Sequence, residues 1–449
     1  MTAPRKAILG ARFLLSIMIL MVLHLTKSLN IAALFALIVV LANGCSPFAP
    51  SIPATATATP VPIKQLVPSP TPAIHTNLWW NEEIAQRDLD LVQGMHFHWI
   101  KQTFAWRDIE TKEKGRFDWW RTDRIVANAE QRGLNLIVRL DRQPFWSQVD
   151  HGERPLENAP PANLEDFGDF CYAVANRYAG RIQAYQVWNE PNLAREWGEQ
   201  SPDPADYVRL LKTCYEAIKR ADPQAFVISA GMAPTGTTGD AAMPDDQFIH
   251  EMYQAGGAQY FDMLGLNAPG YAAPPEISPD EAEATPAYGG FRWASFRHVE
   301  DIRTLMVAEG DGQKQIAIME MGWTTDPNNP TYSWFRVTEQ QQADYLVRAY
   351  EWAYDHWRPW IGIMTTIYIP DPYWTEADEQ YWWSITLPDW PDTKVRPAYD
   401  ALSKLPDWAL QTARPTPTPL PTDTPQPTRT PKRHHTPHPT DTASMTAAP

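Results

Sequence analysis

Two glutamates stand out as residues that could do chemistry. Glu190 lies in AYQVWNEPN (184–192), where Tyr185 and Val187 alternate as in a strand before the run stops on Asn-Glu-Pro. Glu320 lies in IAIMEMGW (316–323), at the end of a second apolar run. A glutamate at a strand end, fixed by a proline behind it, presents its carboxylate to whatever lies beyond the strand. Two such carboxyls sharing one space repel as anions, so one pKa is pushed up and that group keeps its proton while the other ionises. The result is a proton donor beside a nucleophile. Each glutamate alone is weak evidence, and the pair has meaning only if the fold brings 190 and 320 together.

The elements that must do so can be read from apolar periodicity. Strand candidates are NLWW (77–80), FHWIKQTF (97–104), LNLIVRL (134–140), IQAYQVW (182–188), AFVISAG (225–231), FDMLGLN (261–267), QIAIMEM (315–321) and IGIMTTIYI (361–369). Between them run helical stripes: Leu346, Ala349, Tyr350, Ala353 and Trp357 share one face, and similar stripes cross 163–179, 205–220 and 298–308. Eight strand–helix units predict an α/β fold, a (β/α)8 barrel, rather than a doubly wound sheet. No dinucleotide glycine fingerprint or phosphate-binding loop follows any strand. In such a barrel functional residues gather where the strands end. Glu190 then follows the fourth strand and Glu320 ends the seventh, on opposite sides of one mouth.

Composition sets the limits of this domain. All 20 Trp lie between Trp79 and Trp408, while both flanks are rich in Pro, Thr and Ala and bury too little apolar surface to offset chain entropy. The expected organisation is an export signal region (1–45), a Pro/Thr/Ala-rich linker (46–76), one barrel domain (77–411) and a disordered Pro/Thr-rich tail (412–449). A net charge of −15 argues against nucleic acid, which needs a basic face. The aromatic content instead suits flat ligands such as sugar rings. Of the three cysteines, Cys171 and Cys214 fall in helices expected to be consecutive, and the sequence leaves open whether they pair. No metal and no cofactor is expected: His96 and His98 share a strand face without a carboxylate partner, and His434, His435 and His438 lie in the tail.

Near the N-terminus, apolar runs at 13–25 and 31–42 are each shorter than a spanning helix requires. Lys27, the second run and LANGC resemble a bacterial export signal ending in a lipobox, in which Cys45 would be the lipidated first residue; Ala42 stands where that pattern prefers Leu. An uncleaved anchor is the alternative. Either way the expected location is extracytoplasmic, lipid-anchored at the cell surface or secreted.

The domain as a whole resembles the clan A glycoside hydrolases, retaining enzymes on a (β/α)8 barrel, nearest the cellulase-like and family 39-like branches. The resemblance rests on WNEPN, IMEMGW, GMHFHWIKQTFAWRDIETKEKGRFDW, FDMLGLN and VRPAYDAL. It implies Glu190 as acid/base, Glu320 as nucleophile, Asn189 as a contact to the sugar 2-hydroxyl, and Tyr271 as a hydrogen-bond partner of the nucleophile. Lys101 replaces the arginine frequent near the end of strand two. Asn267 opens Asn267-Ala-Pro-Gly-Tyr271 in place of the usual His-x-Tyr. Tyr368 and Trp374 are candidates for the strand-eight tryptophan. Arg139 and Asp141 close the third strand, either as site residues or as a structural ion pair. Trp146, Trp197, Trp293 and Trp374 follow strands and are candidate sugar platforms. The expected function is cleavage of a β-linked glycan by a monomeric enzyme, with a carbohydrate-binding protein and a transglycosylase as alternatives.

Overall fold

The computed structural model describes residues 62–148 and 156–406. Cys45, the expected lipidation site, most of the linker and the C-terminal tail lie outside the described residues.

Eight parallel strands, β1 (Thr71–His75), β2 (Trp99–Ala105), β3 (Asn135–Asp141), β4 (Ala184–Val187), β5 (Phe226–Ile228), β6 (Leu264–Pro269), β7 (Ile316–Gly322) and β8 (Ile361–Thr366), pair in the order β5-β4-β3-β2-β1-β8-β7-β6. Single parallel bridges, Ile228 to Met263 and Met232 to Leu266, close the seam between β5 and β6. Each strand leads to one wall helix: α1 (Glu82–Gly94), α2 (Trp120–Gln131), α3 (Leu164–Arg177), α4 (Pro204–Ala221), α5 (Asp245–Gln254), α6 (His298–Ala308), α7 (Glu339–His356) and α8 (Pro397–Leu402). Several start on the expected chemistry. The Asn81 and Asp203 side chains accept from the first free amides of α1 and α4, and Thr338 with Gln341 forms a capping box on α7.

Strand alternation separates two cores. Ile74, Ile100, Val138, Tyr185 and Ile318 face the helices, whereas Ala73, Trp99, Ile137, Ala184, Ile228, Ala317 and Ile363 fill the barrel interior. Interior positions toward the strand ends are polar: His75, Lys101, Arg139, Asp141 and Gln186 are all buried. The Leu346, Ala349, Tyr350, Ala353 and Trp357 stripe is fully buried. The sulfurs of Cys171 and Cys214 are bonded, with Cα atoms 5.5 Å apart, and tie α3 to α4.

The first strand corrects the sequence reading. NLWW is the turn before α1, and β1 is TPAIH, inside the segment assigned to the linker. The preceding residues also belong to the domain: Gln315 Oε1 accepts from Leu66 N at 2.9 Å and Val67 N at 3.2 Å, and Val67 plugs the barrel floor. Pro70 and Pro72 give this stretch the composition of a spacer. Its edges, however, are satisfied by β2 and β8, in contacts distant in sequence.

Candidate active site

Plain alternation along β7 would put Ala317 and Met319 inside the barrel and turn Glu320 outward. The ladders with β6 and β8 slip at this point: Leu266 pairs Ile318, but Asn267 pairs Glu320, and Ile318 and Met321 pair Met364 and Thr366. A bulge of this kind adds a residue to one strand and re-aims the next side chain. Glu320 is thereby turned into the mouth while Met321 returns to the helix-facing core.

Three side chains from β1, β2 and β3 meet its carboxylate. Lys101 Nζ lies 3.0 Å from Glu320 Oε1 and also donates to Met319 O at 3.0 Å, Arg139 Nη1 is 3.2 Å from Oε1, and His75 Nδ1 is 3.9 Å away. Asp141 Oδ2 sits 2.8 Å from Arg139 Nε, which fixes the guanidinium. Burial pushes the Glu320 carboxyl up, but the Lys101 and Arg139 charges outweigh it and hold it below the usual glutamate range. Burial, opposed by Glu320, draws Lys101 down to about 8. His75 is held neutral, its pKa lowered by burial and then by Lys101, Arg139 and Arg142.

Glu190 is presented differently. Trp188 (φ 73°) and Glu190 (φ 44°) both adopt left-handed backbone, a conformation that costs of order 1 kcal/mol or more per residue outside glycine. The surroundings hold it: Trp188 is fully buried with its indole N–H on Glu196 O at 2.8 Å, and Glu190 N donates to Gly231 O at 3.0 Å. Asn267 Nδ2 donates to Glu190 Oε1 at 2.9 Å, and Arg195 Nη2 reaches Oε2 at 3.3 Å. A Cβ at position 231 would come within 2.2 Å of Asn267 Oδ1, so glycine there makes room for the amide. Burial, then the Glu320 charge, pushes Glu190 up to about 7 against the pull of Arg195. The two carboxyls therefore lean to opposite protonation states, with Asn267 standing between them.

On the Glu190 side the rim is aromatic. Tyr271 (φ 52°) is wedged between Trp293, Trp334 and Phe335, stacked on Trp334 at 5.8 Å, and Phe291 stacks on Trp293 at 5.2 Å. Phe291 is 51 % and Trp334 41 % exposed, so the wall offers open ring faces.

No family model and no curated protein sequence matches this chain. Solved structures do. A family 39 glycoside hydrolase from the gut symbiont Bacteroides cellulosilyticus WH2 superposes with TM-score 0.53 at 18% identity, over 77% of this chain and 64% of that one. A GH5_18 structure from Streptomyces cattleya in complex with GlcNAc gives 0.54 at 15% identity, over 78% and 83%. A glucosidase from Croceicoccus marinus gives 0.51 at 12%, over 76% and 68%. The fold is that of the glycoside hydrolase (β/α)8 barrels. This chain thus spans less than two thirds of the family 39 structure's length.

Set on that barrel, the residues singled out in the sequence take different places. Glu190, Glu320, Lys101, Arg139 and Asn267 come together at the mouth. Asn189 is buried beside them, its backbone paired with Gly231 and its Oδ1 3.4 Å from Gln186 Nε2. Tyr271 departs from expectation: its hydroxyl donates to Pro234 O at 2.9 Å, not to Glu320, because the aromatic wedge turns it toward the β5 loop. Trp146 spends its indole N–H on Glu110 O at 2.8 Å and sets its ring edge-on to Trp106, and Trp197 is buried in the core. Trp374 lies at the mouth, edge-on to Tyr368 at 5.0 Å, and Tyr368 in turn contacts the His75 ring at 5.1 Å. His75 escaped the sequence reading because its strand did. Arg195 and Arg142 escaped it because nothing local sets a loop arginine apart from any other surface charge. Among the described residues no group of three or more His, Cys, Asp or Glu could hold a metal.

Proposed function

We propose that this chain is a retaining glycoside hydrolase acting on a β-linked glycan by double displacement. The observation that carries the reading is the divergence of the two carboxyls, Glu190 raised to about 7 and Glu320 held low in the same mouth. Glu190 gives its proton to the glycosidic oxygen as that oxygen leaves, and the Glu320 carboxylate forms a bond to the anomeric carbon. Glu190, now ionised, takes a proton from water, whose oxygen displaces Glu320 and regenerates both groups. Lys101 and Arg139 keep Glu320 ionised for the first step and stabilise it as a leaving group in the second. Asn267 fixes the Glu190 carboxyl through Oε1. Both the retaining outcome and the β-linkage rest on the resemblance of the WNEP and IMEMGW segments to clan A. Extracytoplasmic location and lipidation at Cys45 rest on LANGC, and the Cys171–Cys214 bond fits an oxidising compartment.

The test is hydrolysis of aryl β-glycosides and β-glycan polymers by the full chain beside Glu320→Gln. Turnover in the wild type that falls at least 10⁴-fold in the variant, with the β-anomer as first product by NMR, is the expected result. Equal rates in the two proteins would remove Glu320 from the mechanism. Glycan affinity without turnover would make the chain a binding protein, and products longer than the substrate would make it a transglycosylase.

A further inference from the structure

Among the described residues, the large apolar side chains that stand exposed are gathered at one end of the barrel. All but Val307 lie between a strand end and the first turn of the helix that follows. Rings collected on one face of a domain mark a surface that binds something. The wall beside Glu190, with Phe291 and Trp334, is one part of it. A second part lies on the loops after β1 and β8, where Tyr373 is 71 % and Trp80 44 % exposed. Arginines lie over two of the remaining rings, Arg121 over Trp120 at 4.4 Å and Arg87 over Trp390 at 5.8 Å, which leaves Trp80 and Tyr373 as the open pair on these two loops.

This pair is both joined to the mouth and held in place. His75, 3.9 Å from Glu320 Oε1, meets the Tyr368 ring at 5.1 Å, and Tyr368 meets Trp374 at 5.0 Å, the neighbour of Tyr373 in the chain. Tyr373 and Trp80 pack edge-on with centroids 5.4 Å apart. The Trp80 indole N–H donates to Asp371 Oδ2 at 2.5 Å, and Asp371 Oδ1 accepts from Tyr373 N at 2.9 Å, so one carboxylate fixes both residues. Asn77 Nδ2 donates to Ile369 O at 3.0 Å and ties the two loops together. An exposed side chain normally loses rotamer freedom when a ligand orders it; here the fold has already removed that freedom. Fixed ring faces beside a carboxylate suit sugars, whose C–H faces stack on aromatics while their hydroxyls donate.

The direction of a bound chain follows from the roles of the two carboxyls. Glu190 protonates the bridging oxygen, so the leaving part of the substrate lies on its side, by the Tyr271 wall. The ring attacked by Glu320 continues the other way, toward His75, Tyr368 and the Trp80–Tyr373 pair. We infer that the substrate is a glycan chain that continues past the ring held at Glu320 onto Trp80 and Tyr373, so that bonds inside a chain are cut rather than terminal sugars removed. This deepens the hydrolase reading and rests on its assignment of Glu190 and Glu320. A single sugar on that side would leave the pair uncovered, whereas a chain spanning both aromatic surfaces covers it and adds remote binding that can be used at the scissile bond.

The experiment holds the leaving group fixed and lengthens the other side. Nitrophenyl β-glycosides carrying one, two or three β-1,4-linked sugars of the gluco, xylo and manno series are compared on the wild-type full chain, Trp80→Ala and Tyr373→Ala. The expected result is kcat/KM about tenfold or more higher for the triglycoside than for the monoglycoside of one series. That ratio should collapse in both variants; a merely structural role would depress all lengths equally. Glu320-dependent hydrolysis with no gain from length, or a gain that either variant keeps, would overturn this inference and leave the hydrolase reading intact. Should none of the glycosides turn over, affinity electrophoresis of the three proteins in gels containing mixed-linkage β-glucan, xylan, glucomannan or laminarin decides it. Retardation of the wild type that is lost in both variants would uphold the glycan track without the hydrolase; no retardation by any polymer, or retardation that either variant keeps, would overturn it.

Discussion

The two glutamates reach the same mouth by opposite means, and their surroundings differ accordingly. Glu320 stands on a regular strand turned by a bulge, enclosed by side chains from β1, β2 and β3 that project inward by plain alternation. Glu190 stands beyond the end of β4 on left-handed backbone, held by an amide from β6 and faced by loops. Strand-borne cations give rigid, dry electrostatics that keep a carboxylate ionised. The loop-borne side combines burial with only a solvent-exposed arginine, Arg195, and this leaves its carboxyl protonated near neutrality. One barrel thus maintains an anion and an acid side by side by placing its buried cations on one side only.

The sharpest way to break this contrast is Glu190→Gln. It should lower kcat/KM by about 10³-fold on substrates with poor leaving groups and far less on nitrophenyl glycosides, whose departure needs little proton transfer. The wild-type profile should fall above about pH 7 as Glu190 loses its proton, and the variant should lose that limb. Stability carries the opposite sign. Because folding raises the Glu190 pKa, the native state binds the extra proton between the usual glutamate value and about 7, so its contribution is full at acid pH and lost as the pH rises. Glu190→Gln should therefore raise the melting temperature at pH 8 relative to wild type and do little at pH 4. A gain as large at pH 4 as at pH 8 would mean that the carboxyl is not perturbed by its site.

Lys101→Met attacks the other side. With the largest of its neutralising charges gone, the Glu320 pKa should rise, and the acid limb of the pH–kcat/KM profile should move upward, costing about tenfold or more in rate near pH 5. An unmoved acid limb would show that the remaining cations set Glu320 without Lys101. Calorimetry should also report lost stability, about 3 kcal/mol, since a buried pair loses one partner and Met319 O loses its donor. The smallest effect is expected at the aromatic rim. Trp334→Ala removes the ring stacked on Tyr271 and should weaken binding of long substrates by about 1 kcal/mol in KM, leaving kcat on short aryl glycosides in place. A loss of kcat instead would tie the wall to the placement of Glu190.

Much of this architecture is legible in the sequence. Seven strands fall where apolar runs place them, and their order puts residues 190 and 320 at the ends of the fourth and seventh. The periods involved are local: two residues for a strand, three to four for a helix. The first strand was misplaced because Thr71-Pro-Ala-Ile-His75 is short and proline-bearing, and its partners lie 26 residues downstream on β2 and nearly 300 downstream on β8. His75 was lost with it. The aromatic residues were visible as a class but not as roles: Trp146 and Trp334 both sit in loops after strands, yet one ring packs on Trp106 and the other opens to solvent.

The sequence by itself determined the (β/α)8 pattern, the polar character of the inward strand ends and the identity of the two glutamates, because each depends on the spacing of a few neighbouring residues. Tertiary structure decided the rest. The bulge that turns Glu320 inward exists only as a slip between β7 and its two neighbours. The partner of Tyr271 is set by three loops meeting. The Cys171–Cys214 bond requires α3 and α4 to lie side by side. A protonation state belongs to a space enclosed by several elements, and no local period encodes it.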